Sequence, residues 1–366
     1  MNENTIKDNE ENVSPFPGKI AVVTSIDNVD DVQSAERLVA KYGTGKIIHV
    51  NWPLSFVTDQ EEMIDIVAGL APDRDIKILI INQALPGTNA AIDKFREMRD
   101  DVFIVCCSIH ESLPETAKRA DLMFDPDFVG MGAAMVQQVK KQGAKVFVHY
   151  SFPRHMSVLE QSSCRDKIRE TCEAENILFL DATVPDPKGD AGADAARQFI
   201  TEDVPRVVAK YGEDTAFFCT NCALQVSLIT AVVNSHAIYP QQCCPSPLHG
   251  FPEALGIETG EGLVDLNYVI GEISSIAAEK NMTDRLSSWP VSASIMFTNA
   301  GAEYAIKWIK GEVPRNGIDE RVLDDCMSAY VKEVVGEGVE VSMTSYSVGG
   351  VTYDKCKLLL MAYLDY

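Results

Sequence analysis

Residues 145–156 read KVFVHYSFPRHM, an apolar, β-branched and aromatic run that breaks into a turn carrying Ser151, Phe152, Pro153, Arg154 and His155. Such a run is a short buried strand, and the turn after it bears groups that contact ligands. The pattern recurs as KIAVVTS (19–25), IKILIINQALPGT (76–88), VFIVCCS (102–108) and TAFFCTN (215–221). Amphipathic helical stretches separate these runs, which makes right-handed βαβ units with parallel sheets covered on both faces. In open sheets of this kind ligands sit beyond the carboxyl ends of the strands, so function is sought in the polar turns.

Working outward, strands are predicted over 20–24, 47–50, 78–82 and 102–106, with a weaker one over 121–124 and helices over 29–42, 57–70 and 88–98. A helix over 130–143 carries the chain into a second lobe. There strands over 146–150, 177–181 and 216–219 alternate with helices over 158–174, 191–211 and 223–235. The periodicity then fades through QQCCPSPLHGFPEALGI (241–257), which is rich in turn formers. Helices over 263–280 and 299–310 follow, and KLLLMAYL near the end is strand-like. The expected fold class is α/β, two Rossmann-like lobes with parallel sheets joined by a multi-segment hinge. Residues 1–18 are expected as a disordered acidic lead-in. The N-terminal lobe is expected from 19–129 plus 296–319, and the C-terminal lobe from 130–295 plus 320–366.

Composition fits this reading. At 366 residues and 46% hydrophobic content the chain can bury two cores. A net charge of −22 with no Lys/Arg cluster argues against direct nucleic-acid binding. No apolar run is long enough for a membrane span. The opening MNENTIKDNEENVSPFPG lacks the apolar segment of a secretory signal. Ten cysteines without the spacing of a disulfide scaffold point to a reducing, cytoplasmic setting.

The strings KIAVVTS, RLVAKYG, INQALPGT, VHYSFPRHMS, ITEDVPRVVAKYGEDTAFFCTN and NAGAEYAIKWI stand in an order that resembles the type I periplasmic-binding-protein fold. More narrowly, the chain resembles an uncharacterised bacterial branch of that fold, a domain of unknown function, from Lys19 to at least Lys310. The resemblance implies a three-segment hinge and a small-molecule site between two lobes, as in solute-binding proteins and in the sensor cores of lactose-repressor-like regulators. Members of the branch are mostly exported and lipid-anchored, whereas no lipobox cysteine stands near the start of this sequence. Location is therefore left between cytoplasm and cell envelope. The polar residues before Lys19 do not supply a helix-turn-helix, so a regulator would act through a partner.

The expected ligand-binding residues are Thr24, Ser25, Asn82, Gln83, Ser108, Ser151, Arg154, His155, Asn221 and Trp289. Arg154 offers a planar fork to a carboxylate or phosphate, with an ion pair between loops as its structural alternative. The amides and hydroxyls close strands, where they either touch ligand or cap helices. Trp289 stacks on a ring or packs in the core. Sugar-binding relatives place an aspartate after the asparagine of the last strand, a position held here by Cys222, which argues against a polyhydroxylated sugar. Cys219, Cys222, Cys243 and Cys244 suggest half a zinc knuckle, but neighbouring side chains in extended backbone point apart, so no metal is expected. No cofactor is expected either, since no phosphate-binding glycine loop or serine-hydrolase elbow is present. The expected function is a non-enzymatic receptor for a polar or anionic small molecule, monomeric or homodimeric, working with a transporter or a regulatory partner. The alternatives are the ligand-sensing core of a transcriptional regulator, an enzyme using His155 as base with a cysteine nucleophile, and an interaction module with a decayed cleft.

Overall fold

In the computed structural model, which describes residues 15–26, 28–54 and 59–366, the first lobe alternates strand and helix. Its elements are Lys19–Thr24 (β1), Val29–Tyr42 (α1), Ile47–Asn51 (β2), Gln60–Ala68 (α2), Ile76–Ala84 (β3), Thr88–Arg96 (α3), Phe103–Ile109 (β4), Leu113–Thr116 (α4) and Leu122–Pro126 (β5). The start of the helix expected over 57–70 and most of the acidic lead-in lie outside the described residues. The second lobe contains Phe128–Lys141 (α5), Val146–Ser151 (β6), Pro153–Met156 (α6), Leu159–Ala174 (α7), Leu178–Thr183 (β7), Gly192–Tyr211 (α8), Thr215–Cys219 (β8), Gln225–Asn234 (α9), Phe251–Leu255 (α10) and Leu266–Glu279 (α11). The chain returns through Ser287–Ser288 (β9), Ala293–Lys310 (α12), Glu320–Val335 (α13), Val341–Val348 (β10), Val351–Met361 (β11) and Leu364–Asp365 (β12).

The first lobe is built on a seven-stranded sheet ordered β10-β11-β5-β4-β3-β1-β2, parallel throughout except for the β10–β11 hairpin. The second has a parallel sheet ordered β7-β6-β8, which the chain beyond α9 extends by a bridge from Ile238 to Ala216. The fold is the type I periplasmic-binding-protein-like α/β architecture. The central strands read as unbroken apolar runs because helices cover both their faces. Only Lys77 and Gln83 of β3 retain appreciable exposure.

One boundary is corrected. Residues 320–366 were expected in the second lobe, but β11 pairs in parallel with β5 and α13 packs on α12, so residues 293–361 rejoin the first lobe. Lys357 shows why the hairpin is tied there. Its buried ammonium donates to Glu320 at the start of α13 (2.6 Å) and to Ser345 on β10 (2.8 Å). The last strand then crosses again, β12 pairing with β9. The lobes are thus connected after β5, before α12 and after β11.

Helix α12 runs beneath the first lobe's sheet with its first ten residues, Ala293 to Ala302, all buried. Its close approach requires Gly301, where an added Cβ would lie 2.9 Å from Val105 Cγ1 and 3.4 Å from Phe124 Cε2. Helix propensity alone favours replacing that glycine by about 1 kcal/mol, but overpacking a tight core costs about 1–3 kcal/mol. The stiff Val105 side chain on a central strand puts the balance on the side of the cost. Gly301→Val should therefore lower the urea midpoint, by the equivalent of about 2 kcal/mol, with Gly301→Ala less affected. An unchanged midpoint for the valine variant would show that helix and sheet are not in close contact.

In the second lobe His149 on β6 is buried between Phe179 and Phe218, its Nδ1 3.0 Å from Asp181. Burial lowers its pKa in spite of that carboxylate, so the ring is neutral and Nδ1–H donates to Asp181. The unfolded chain takes up a proton near pH 6.5 that the native ring refuses, so stability falls as pH drops through that value. His155, held at about 4, adds a dependence of the same sign. Between pH 7.5 and 5.5 the unfolding free energy of His149→Phe should lose one contribution that falls with pH, so its pH slope should differ from the wild type's in that direction. Equal slopes would remove His149 from the account.

Candidate functional site

The carboxyl ends of strands from both lobes converge on Cys222. In the first lobe, β1 ends in a turn where Asn28 caps α1, its Oδ1 accepting from the Asp30 N–H at 3.0 Å. This places Asp30 and Asp31 in the first helical turn, where the dipole favours acidic groups. Both are nonetheless buried. Burial raises the pKa of Asp30, with His249 partly offsetting it, and raises that of Asp31 well above the carboxylate range. Asp30 accepts a hydrogen bond from Ser246 of the other lobe at 3.2 Å. Among the described residues no donor reaches hydrogen-bonding geometry with either Asp31 oxygen, although Ser294 and the Ser25 backbone lie beside it. From β4 comes His110, its pKa lowered by desolvation and partly restored by Cys222.

In the second lobe, β6 ends in Ser151 and the single turn α6, which Pro153 opens in its favoured first position. His155 of that turn sits 4.1 Å from the Phe152 ring, and its Nδ1 is 3.0 Å from Thr220 Oγ1. Burial and then the Arg154 charge bring its pKa down to about 4. After β8, Asn221 accepts from the Ala223 N–H at 3.0 Å, while Gln225 donates to the carbonyls of Cys219 (3.0 Å) and Asn221 (2.9 Å). These bonds fix the turn that carries Cys222.

The loop following Tyr239 brings up the remaining groups. Cys222 Sγ lies 3.4 Å from Cys243 Sγ and 3.8 Å from Cys244 Sγ, and His249 Nδ1 lies 3.0 Å from the Cys244 carbonyl. Thiol donation from Cys243 and Cys244, with the nearby His249, lowers the Cys222 pKa well below that of an ordinary thiol. Burial opposes charging His249, but the Cys222 charge outweighs it and, with Asp30, raises the imidazole to about 9. The arrangement supports a thiolate beside an imidazolium, or a soft cation in place of their protons. A recess of about 370 Å³, lined by Arg197, Cys222, Ala223, Val226, Ser227 and Glu253, opens beside the first thiol.

The lobes also touch directly at one edge. Gln33 of α1 donates to the Gly262 carbonyl (2.9 Å) and accepts from the Val264 N–H (3.0 Å), while Arg37 donates to the Val264 carbonyl (2.6 Å). The structure is therefore a lobes-together conformation.

Several expected site residues are engaged by partners within the protein or lie in its core. Thr24 is fully buried, its hydroxyl donating to Asn51 Oδ1 at 3.0 Å and lying 2.7 Å from His49 Nε2. Asn82 is fully buried as well and donates to Ser34, the Ser294 carbonyl and Thr298, tying β3 to α1 and α12. The carbonyl of Gln83 accepts from the Trp52 indole at 2.8 Å. Trp289 has no exposed surface and belongs to the apolar core, which corrects the stacking expectation. Arg154 makes a two-pronged pair with Asp186, both contacts 2.8 Å, so its fork is already occupied. Ser108 adopts a left-handed backbone, φ 49°, at the end of β4. Ser25, Ser151, His155 and Asn221 do stand at the cleft or in the turns that shape it.

Sequence reasoning missed Asp30, Asp31, Gln33, Arg37, His110 and His249. It also set aside Cys243 and Cys244 on the premise of extended backbone. The chain bends at that pair, and their partner is Cys222 rather than Cys219, whose buried thiol is pushed up to about 12.

Comparison with known proteins agrees with the architecture. The chain belongs to the family described as "Protein of unknown function (DUF3798)", whose profile matches residues 18–287. An "Uncharacterized protein" of Treponema pallidum (strain Nichols) is 33% identical over 165 residues, 43% of this chain and 75% of that protein. Among solved structures, a "Putative transcriptional regulator" from Clostridium difficile 630 superposes with a TM-score of 0.81 at 21% identity, covering 96% of this chain and 99% of that one. An ABC transporter solute binding protein from Clostridium phytofermentans, with bound L-rhamnose, superposes with a TM-score of 0.52 at 9% identity, over 95% and 96% of the two chains. These structural likenesses share the two-lobed fold. No helix among the described residues is long and apolar enough to cross a membrane.

The contacts of Gln33 and Arg37 make a conformational prediction. Replacing both with alanine should release the edge and raise the radius of gyration in small-angle X-ray scattering. An unchanged radius would mean that the apolar packing alone keeps the lobes together.

Proposed function

We propose that this DUF3798 member is a receptor for a small polar solute held between its two lobes, which delivers the solute to a transporter or reports it to a regulator, and is not a catalyst. The observation that carries the reading is the convergence of polar and titratable side chains from β1, β4, β6 and β8, two strand ends from each lobe, on one cleft. A solute bridging both walls has higher affinity for the closed form and shifts the population towards it. Three chain crossings make a hinge that permits that motion.

Of the polar and anionic classes considered, neutral polar molecules rich in hydroxyls fit better. The Arg154 fork is taken by Asp186, whereas Asp30 and Asp31 offer acceptor oxygens. The L-rhamnose in the Clostridium phytofermentans protein is a ligand of that class. The objection to such ligands, an aspartate position held by Cys222, loses force when two carboxyl groups reach the same cleft from the opposite lobe. An enzymatic role for His155 is disfavoured, because a ring held near 4 with Nδ1 against Thr220 is a weak base at neutral pH. The sensor variant of the reading draws on near full-length likeness to the Clostridium difficile protein named as a regulator.

A thermal-shift screen of monosaccharides, polyols, nucleosides, amino acids and organic acids tests this. Saturation at about a hundredfold over Kd adds about 2.7 kcal/mol and raises Tm by several degrees. A neutral hydroxyl-rich compound should produce such a rise in the wild type and in Arg154→Ala, and a smaller one in Asp30→Asn. Failure of every compound class to move the wild-type Tm would refute the receptor, and turnover of the binding compound would replace it with an enzyme.

A further inference from the structure

We propose that Cys222, Cys243, Cys244 and His249 form a binding site for one thiophilic divalent cation, for which Zn²⁺ is the fitting probe. The proposal goes beyond the solute receptor and does not depend on it.

The ligand atoms of all four residues lie within 4.8 Å of one another. A tetrahedral zinc with Zn–S bonds of about 2.3 Å separates its sulfurs by about 3.8 Å. The measured separations of 3.4 and 3.8 Å from Cys222 are close to that edge. A disulfide would instead require the sulfurs to close to about 2.05 Å. The sulfurs are therefore spaced for sharing a central ion rather than for bonding to each other.

The supporting residues point the same way. Asn221 and Gln225 fix the turn bearing Cys222, and the bend at Cys243 and Cys244 lets adjacent side chains face one centre. The Nδ1 of His249 is engaged by the Cys244 carbonyl, which orients the ring and leaves Nε2 as its remaining nitrogen. Metal-ligating histidines are held in this manner by an outer-shell acceptor. Three thiols and an imidazole select zinc and similar soft or borderline ions over magnesium or calcium, which take oxygen ligands. Cys222 and Cys244 reach the surface, so an ion has a way in. Ser246, between the ligands in sequence, donates to Asp30 of the other lobe. Ordering this loop around an ion would consequently stiffen a contact across the cleft.

The test uses the reduced, chelator-stripped chain, titrated with Zn²⁺ against a chromophoric chelator and separately with Co²⁺. One equivalent of Zn²⁺ should bind and protect thiols from a thiol reagent. Co²⁺ should show thiolate charge-transfer absorption and the intense visible bands of a tetrahedral site. Cys222→Ser and His249→Gln should each weaken binding by more than the roughly 10–100-fold that outer-shell changes cost, while exposed His236→Asn leaves it unchanged. Absence of Zn²⁺ binding, a Co²⁺ spectrum without the thiolate bands, or binding unaltered in both ligand variants would each overturn the proposal. Because no solute is present, none of these outcomes bears on the receptor reading.

Discussion

Burial of α12 against the central strands is the constraint on which the rest of the molecule depends. The helix brings Ile295, Met296, Phe297 and Ile306 out of water, and such side chains contribute about 1.5–3 kcal/mol each when buried. Polar groups secure its position. Asn82, at the end of β3, spends its amide hydrogens on Ser34, Ser294 and Thr298 and so joins strand, first helix and returning helix at one point. Gly301 permits the close contact with Val105 that these bonds require. With α12 seated, α13 and the β10–β11 hairpin have a surface to pack on, and the hairpin completes the sheet beyond β5.

The same helix begins where the chain crosses between lobes, which links packing to the cleft. Ser292 caps it, and Ser294 lies beside Asp31 at the start of α1. Two helix starts from distant parts of the chain thus meet at the wall facing Cys222. The carboxyls there are buried, so charge interactions are strong and unbalanced charge is costly. Burial pushes the two carboxyls up, while a neighbouring imidazole and two thiols pull Cys222 down. A polar cleft of this kind favours guests that supply what is missing: hydroxyls for carboxylates, or a cation for sulfurs.

Much of the alternating pattern was legible because strands buried on both faces must be continuously apolar, as β3, β4, β6 and β8 are. The site was less so. Arg154, the sharpest sequence feature, pairs with Asp186 some thirty residues away on a neighbouring loop, and nothing local to SFPRHMS distinguishes a fork awaiting ligand from one already matched. Asn82 and Thr24 were correctly located at strand ends, but each is turned into its own lobe by partners distant in sequence. Trp289 precedes a proline in a crossing segment that lies in the core.

By itself the sequence determined the fold class, the order of strands and helices through the first two-thirds of the chain, and the turns in which polar groups would gather. These follow from periodicity and local turn chemistry, which act over a few residues. Only the tertiary structure decided that the last strands extend the first lobe's sheet, that Asp30 faces Ser246, and that Cys222 meets Cys243, Cys244 and His249. Contacts of that range are set by which apolar faces bury together and by how the backbone bends between them. A bend at two adjacent cysteines was enough to turn an apparent pair of isolated thiols into part of a four-residue cluster.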